Sequence, residues 1–381
     1  MQLRDQALER LKSFCENNLG QYAKSRNFDY GPERRDNISN LSRYITHRLI
    51  DEEEVIKSAH SKFAYLKIEK FIQEVLWRTY WKGWLELRPK VWSSYLNDLK
   101  NLQKQKENLN FQQAIDGKTH IECFNDWVHE LKQYNYLHNH ARMWFASIWI
   151  FTLKLPWQLG ADFFLKHLID GDAASNTLSW RWVAGLQTKG KNYLATKYNI
   201  NTFSAKKYET LKLNENASPL FESENFEIQP LHFDKIENEN SLFLLHNLDS
   251  TFLQRTKDTF NHYALFDFNQ VLERENFSKS VLDFKSAINK ELIDTLQNKF
   301  NSNTIIKNKE DLLKIIKDKN IKNIITPYLN CGYENDFMSE IKKIIKVTYV
   351  IREYDKYCYP FATKGFFAFK EQIPKMLSKF L

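Results

Sequence analysis

The 381-residue sequence contains no apolar run approaching the ~18 residues that a membrane-spanning helix needs. Its opening stretch, MQLRDQALERLKSFCENN, has no uninterrupted apolar segment of the kind a signal peptide carries. Cysteine is sparse: Cys15, Cys123, Cys331 and Cys358 lie far apart, with no C-x-x-C spacing. This argues against a structural zinc or iron–sulfur centre, leaves no metal site to name, and fits a cytoplasmic chain. Internal repeats and long low-complexity tracts are missing too. The expectation is a cytoplasmic monomer without membrane attachment.

Aromatic residues, by contrast, are abundant: 10 Trp, 18 Tyr and 28 Phe, 15% of the chain. Such rings fill cores, line cofactor pockets or stack on bases, so their number alone selects no function. The net charge of +8 is uneven. Residues 1–220 hold 32 Lys and Arg against 24 Asp and Glu, while residues 221–381 hold 23 of each. A polyanion would be drawn to the first part, although a solvated basic face has the same composition.

Up to about residue 200 the apolar spacing is helical. Lys62–Glu86 and Leu131–Leu155 are expected as long helices, the second apolar almost all round and therefore internal. Tyr208–Gln229, polar and without pattern, reads as a linker. Beyond it the period changes. Ser241–His246, Tyr263–Phe268, Asn303–Lys307, Ile321–Pro327 and Lys346–Arg352 are expected strands. Helices over Phe284–Phe300, Lys309–Lys317 and Asn335–Ile345 fall between them, which implies a mostly parallel sheet. The expected fold is an all-α domain (1–207), a linker (208–240) and a smaller, Rossmann-like α/β domain (241–381).

Chemistry-bearing residues concentrate between Tyr134 and Phe203. Asn139, Arg142 and Met143 are spaced to share one helix face. A guanidinium and an amide on an otherwise apolar helix need partners, which a buried cofactor could supply. The run Leu168–Asn176 (LIDGDAASN) packs two carboxylates and an amide into a short segment. These could pair with Arg142 or hold ribose hydroxyls; a helix cap plus a structural Arg–Asp pair gives the same pattern.

This block resembles the FAD-binding core of the photolyase/cryptochrome family, whose pattern runs H-N-x-x-R-M, W-x-x-G, L-x-D-G-D-x-A-x-N and W-x-W. Phe71–Trp81 (FIQEVLWRTYW) resembles the family's E-x-x-W-R-x-[FY] helix. Arg26–Ser42 (RNFDYGPERRDNISNLS) resembles its phosphate-receiving turn, preceded by Tyr22. The resemblance implies that Tyr22, Ser39, Asn40, Leu41 and Ser42 contact the FAD phosphates and ribityl chain. It also implies that Arg78 supports the site, Arg142 pairs with Asp170, and Asp172 serves the adenine side. Asn139 is counted with the cofactor shell too, and Asn176 is expected near flavin N5, where an amide favours reduced flavin. Glu74, Trp77, Asn139, Met143 and Trp182 match positions that, in cyclobutane-dimer photolyases, line the pocket for a flipped pyrimidine dimer in single- or double-stranded damaged DNA. Indoles would wall that pocket, while a carboxyl and an amide bond the base edges.

Departures accompany the match. The family's arginine at the phosphate turn is Asn40 here, and its dimer-pocket arginine is His140. Its photoreduction tryptophans map to Trp180 and Trp157, but the outer one, near Lys104, is missing; Trp144, Trp149 and Trp127 are alternatives. The P-Y-F-R-I-F-N-P ending is replaced by Lys189–Ile200. The segment Ser241–Leu381 resembles the family's antenna domain moved to the C-terminal side, with any second chromophore unspecified. The function implied is light-driven splitting of a cyclobutane pyrimidine dimer, by electron transfer from photoexcited reduced FAD, with Glu74 assisting. The alternatives are a non-repairing cryptochrome-like blue-light receptor and, disfavoured by Asn139 following His138, repair of (6-4) lesions.

Overall fold

Two families of elements follow one another in the computed structural model, which describes residues 2–237 and 239–381. The first is helical throughout, and the second carries a five-stranded sheet.

The helix Glu52–Lys62 opens with a capping box, Asp51 and Glu54 each accepting the other's backbone N–H. It stops where Phe63 turns extended, and the 22-residue helix Tyr65–Glu86 starts afresh. The expected helix through Leu131–Leu155 is two helices, Glu122–Tyr134 and Asn139–Ser147, the latter continuing as a π-turn over Ile148–Thr152. Asn135 causes the break by taking the left-handed conformation (φ 52°), which asparagine tolerates better than most residues. Its side chain donates to His167 O at 2.9 Å, and its carbonyl accepts from Ile169 N–H at 3.1 Å. The interruption therefore fixes the position of the Asp170 loop. Downstream of it, Trp144, Phe145 and Trp149 are fully buried, as an all-round apolar segment should be.

Residues 205–237 form no helix or strand and run along the helical part. Gln229 N–H reaches Leu87 O, and Arg181 forks onto Glu222.

The sheet is parallel, ordered β3-β2-β1-β4-β5, with β1 Ser241–Leu245, β2 His262–Phe266, β3 Ile305–Ile306, β4 Asn323–Pro327 and β5 Lys346–Val350. The order reverses between β1 and β4, which opens a crevice at their carboxyl ends. The last helices, Glu353–Cys358, Phe366–Lys370 and Ile373–Phe380, leave the sheet and pack into the helical core through Tyr354, Cys358, Phe366, Phe369 and Met376.

A buried ionic network joins the two parts. Arg48 reaches Asp249 at 3.1 Å and Asp355 at 2.7 Å; Arg352 reaches Asp355 at 2.7 Å and Glu52 at 2.9 Å. Arg255 closes on the other oxygen of Asp249. Burial opposes ionisation of Asp355, but Arg352 and Arg48 outweigh it and hold its carboxyl below the ordinary range. Arg48→Met removes the guanidinium that bridges the two carboxylates, leaving Asp249 to Arg255 alone and Asp355 to Arg352 alone. Denaturant unfolding should show a loss of about 3–5 kcal/mol.

Burial also lowers the pKa of three histidines: His47 and His138 to about 3, and His246 to about 4. His246 is held neutral by bonds at both ring nitrogens, to Pro327 O and from Leu248 N–H. Below pH ~6.5 the unfolded chain takes up protons that the folded chain refuses, so stability falls as pH falls through that window. Three such groups give a slope of up to about 4 kcal/mol per pH unit near pH 5. Unfolding free energies measured between pH 7.5 and 4.5 should show this decline, offset in part by Glu130, whose carboxyl is pushed up to about 7 by burial; a flat profile down to pH 4.5 would contradict it.

Candidate functional site

Three stretches converge beneath the Asp170 loop: the turn 37–46, the Tyr65–Glu86 helix and residues 135–184. Arg142 donates to both oxygens of Asp170 at 3.0 and 2.9 Å, while its Nε donates to Leu137 O. Burial raises the Asp170 pKa, Arg142 lowers it more, and the carboxylate stays ionised below its usual range. Asp172 does two things. It caps the helix Ala173–Ala184 by accepting from Ser175 N–H, and it pairs with Arg78 at 2.9 Å. The Thr46 hydroxyl links the pairs, accepting from Arg78 at 2.6 Å and donating to Asp170 O at 3.1 Å. Cap and ion pairs, the structural alternative for these residues, are thus both present.

The turn carrying Ser39, Asn40, Leu41 and Ser42 is tied down from two sides. Arg10 Nε donates to Ser39 O, and Asn37 donates to Ser25 O and Phe28 O, next to Tyr22. Asn40 has φ 52°, a left-handed conformation that favours asparagine over arginine. Tyr22 packs edge-on against Phe14 and Phe71. Asn176, 8% exposed, donates to Ala161 O at 2.8 Å. One residue before it, the buried Ser175 hydroxyl has no partner, so a polar group of a bound cofactor would complete it. Two anchored carboxylates, a fixed turn and this free hydroxyl fit a dinucleotide cofactor.

The residues expected to face a base occur in pairs. Glu74 pairs with Arg26 at 2.6 Å, and burial nevertheless raises its pKa. Trp77 stacks on Phe366, with ring centres 3.6 Å apart. Asn139 Nδ2 approaches Met143 Sδ at 3.9 Å, and Trp182 stacks on Tyr193. His140 hydrogen-bonds Asn27 O through Nδ1 and stacks on Trp144.

Trp180 lies against Phe164 and Trp149, at 5.1 and 6.2 Å between ring centres, and its indole fills the space left by Gly160. Trp144 and Trp127 stack on each other. Trp157 stacks instead on Tyr95, which continues to Trp92 and Tyr333 at steps of 5.6, 5.4 and 5.3 Å. Sequence reasoning missed Tyr95 and Trp92, whose W-x-x-Y spacing on the Lys90–Asn101 helix was their only signal.

A cavity of about 70 Å³ lies at the seam between the two parts, beside the carboxyl ends of β1 and β4. Thr46, Asp172 and Lys82 line it from the helical side, and Lys285, Tyr333 and Glu334 from the other. Lys82 is 7% exposed, and burial lowers its pKa. Nothing in the sequence pattern singled out this lysine.

Residues 71–211 match the family described as the FAD binding domain of DNA photolyase. The chain is 28% identical to a deoxyribodipyrimidine photo-lyase of Neurospora crassa over 197 residues, 49% of this chain and 31% of that one. It is 31% identical to one of Streptomyces griseus over 154 residues, 40% of this chain and 33% of that one. It thus spans about a third of the length of these relatives. Among solved structures, a bacterial class III photolyase from Agrobacterium tumefaciens aligns with a TM-score of 0.45 at 25% identity, covering 52% of this chain and 42% of that one.

A Cβ at position 160 would lie 2.3 Å from the Trp180 ring. Gly160→Ala should therefore cost about 1–3 kcal/mol of stability and change the near-UV circular dichroism. An unchanged spectrum and midpoint would show that Trp180 is not seated there.

Proposed function

Because residues 71–211 match the FAD binding domain of DNA photolyase, we propose that this chain binds FAD and repairs cyclobutane pyrimidine dimers in DNA under blue light. The observation carrying this reading is the Tyr65–Glu86 helix, which presents Glu74 and Trp77 beside Arg78, the anchor of Asp172. One turn of helix thus serves both a base and a cofactor. Asp170, Asp172, Asn176 and the Ser39–Ser42 turn would hold FAD, which in its reduced form supplies a photoexcitable electron donor.

The chain's own groups have separate tasks. Trp77 and Trp182, both half-buried, offer flat apolar walls to an extruded base. The raised pKa of Glu74 favours a carboxyl able to donate a hydrogen bond to a pyrimidine carbonyl. Its release from Arg26 on lesion entry would raise it further. The seam cavity is where a second ligand would be sought, and the +8 of residues 1–220 favours a polyanionic partner.

A signalling flavoprotein without repair activity is the second reading. It is favoured by His140, which is turned onto Trp144 and Asn27 and supplies no fixed cation.

The two readings separate on a thymine-dimer oligonucleotide, single- and double-stranded, illuminated with blue light after chemical reduction of the flavin, against a dark control. Light-dependent loss of the dimer is expected; flavin binding with no repair on either strand form would favour signalling. Trp77→Ala should weaken lesion binding about 5- to 100-fold, since a base–aromatic stack is worth ~1–3 kcal/mol. Glu74→Gln should lower the repair yield more than it weakens affinity. Unchanged lesion affinity in Trp77→Ala would remove Trp77 from the pocket.

A further inference from the structure

Both indoles assigned to the lesion pocket are backed by a second ring, one from the closing segment that follows the sheet and one from the stretch that replaces the family's P-Y-F-R-I-F-N-P ending. Phe366 lies under Trp77, with ring centres 3.6 Å apart and planes 11° apart. Tyr193 lies under Trp182 at 5.7 Å and 26°. Phe366 belongs to the closing segment, which follows the sheet, and Tyr193 to the stretch Lys189–Ile200.

Neither backing ring is loose. Phe366 is 8% exposed, and its edge contacts Tyr80, whose hydroxyl donates to Lys364 O at 3.0 Å. Arg88 donates to Thr363 O at 2.7 Å, and Lys370 pairs with Glu69 at 3.1 Å. The segment is thus fastened to the Tyr65–Glu86 helix on both sides of Phe366. Gly83 permits this approach, because a Cβ there would lie 2.8 Å from Tyr359 Cα. Tyr193 is held by its N–H to Val183 O and by its hydroxyl near Asn199 Oδ1, which also accepts from Trp144 Nε1.

We infer that Phe366 and Tyr193 are positioning residues for Trp77 and Trp182, setting the planes of the two indoles before a base arrives. An unsupported tryptophan on a half-buried face samples several rotamers and loses that freedom on stacking. A ring already fixed from behind has paid less of that cost at the moment of binding. The pair Trp77–Phe366 also continues the π-stack beyond the base, and such contacts contribute ~0.5–1.5 kcal/mol beyond the buried area. This inference rests on the reading of Trp77 and Trp182 as lesion contacts.

Phe366→Leu and Tyr193→Leu keep bulk and apolarity while removing the flat ring. Each is measured alone and combined with Trp77→Ala or Trp182→Ala, in the full-length flavin-loaded protein, against a thymine-dimer oligonucleotide and its undamaged counterpart. Melting temperature and flavin content are followed throughout. Phe366→Leu should weaken lesion affinity about three- to tenfold, leave affinity for undamaged DNA unchanged, and have no further effect once Trp77 is alanine. Tyr193→Leu should behave likewise towards Trp182. A purely structural role would lower the melting temperature equally in both backgrounds without this dependence. If Trp77→Ala weakens binding and Phe366→Leu does not, the positioning role is wrong. If Trp77→Ala has no effect either, the lesion-pocket reading itself has failed.

Discussion

The arrangement of the whole molecule depends on the charges buried between its two parts. Arg48 sits in the left-handed region at φ 48°, a conformation that costs an arginine, and is held there by carboxylates from two distant stretches. Asp249 follows β1 and Asp355 follows β5, so a single guanidinium grips both the centre and the edge of the sheet. Desolvation makes such a network a weak source of net stability, because apolar residues of the same volume could pack as well. Its directionality matters more. Each charge is satisfied in one mutual placement of the two parts, and that placement also defines the cavity beside Asp172, Lys82 and Tyr333.

Within the helical part, small polar features determine where the chemistry sits. Asn135 stops one helix and, through His167 and Ile169, holds the end of another in place. The loop pinned in this way presents Asp170 to Arg142 and Asp172 to Arg78. Thr46 ties both pairs to the turn at Ser39–Ser42. A cofactor site assembled from three stretches thus hangs on a few hydrogen bonds among otherwise apolar helices.

The sequence made some of this legible for identifiable reasons. Buried parallel strands read as short apolar runs, so SLFLL and NIITP were visible and only their ends shifted by a residue or two. The apolar setting of Arg142 called for some partner, and the family resemblance named Asp170. The break at Asn135 was hidden, since apolar residues continue on both sides and one residue's backbone angle carries the change. Charges such as Arg48 and Asp355 lie in no periodic pattern, and their meeting is a property of the tertiary fold. The same holds for Phe366 beneath Trp77, where nothing local to either residue announces the other.

That last contact bears on how the protein is made. The core of the helical part includes Tyr354, Cys358, Phe366, Phe369 and Met376, which leave the ribosome only after the whole sheet has been made. At ~5–20 residues per second, a nascent chain exposes the apolar face of the Tyr65–Glu86 helix for tens of seconds before its cover is synthesised. Folding cannot be completed part by part in the order of translation. The first part must wait in an unfinished state for the end of the second, and during that interval chaperones have most reason to hold it.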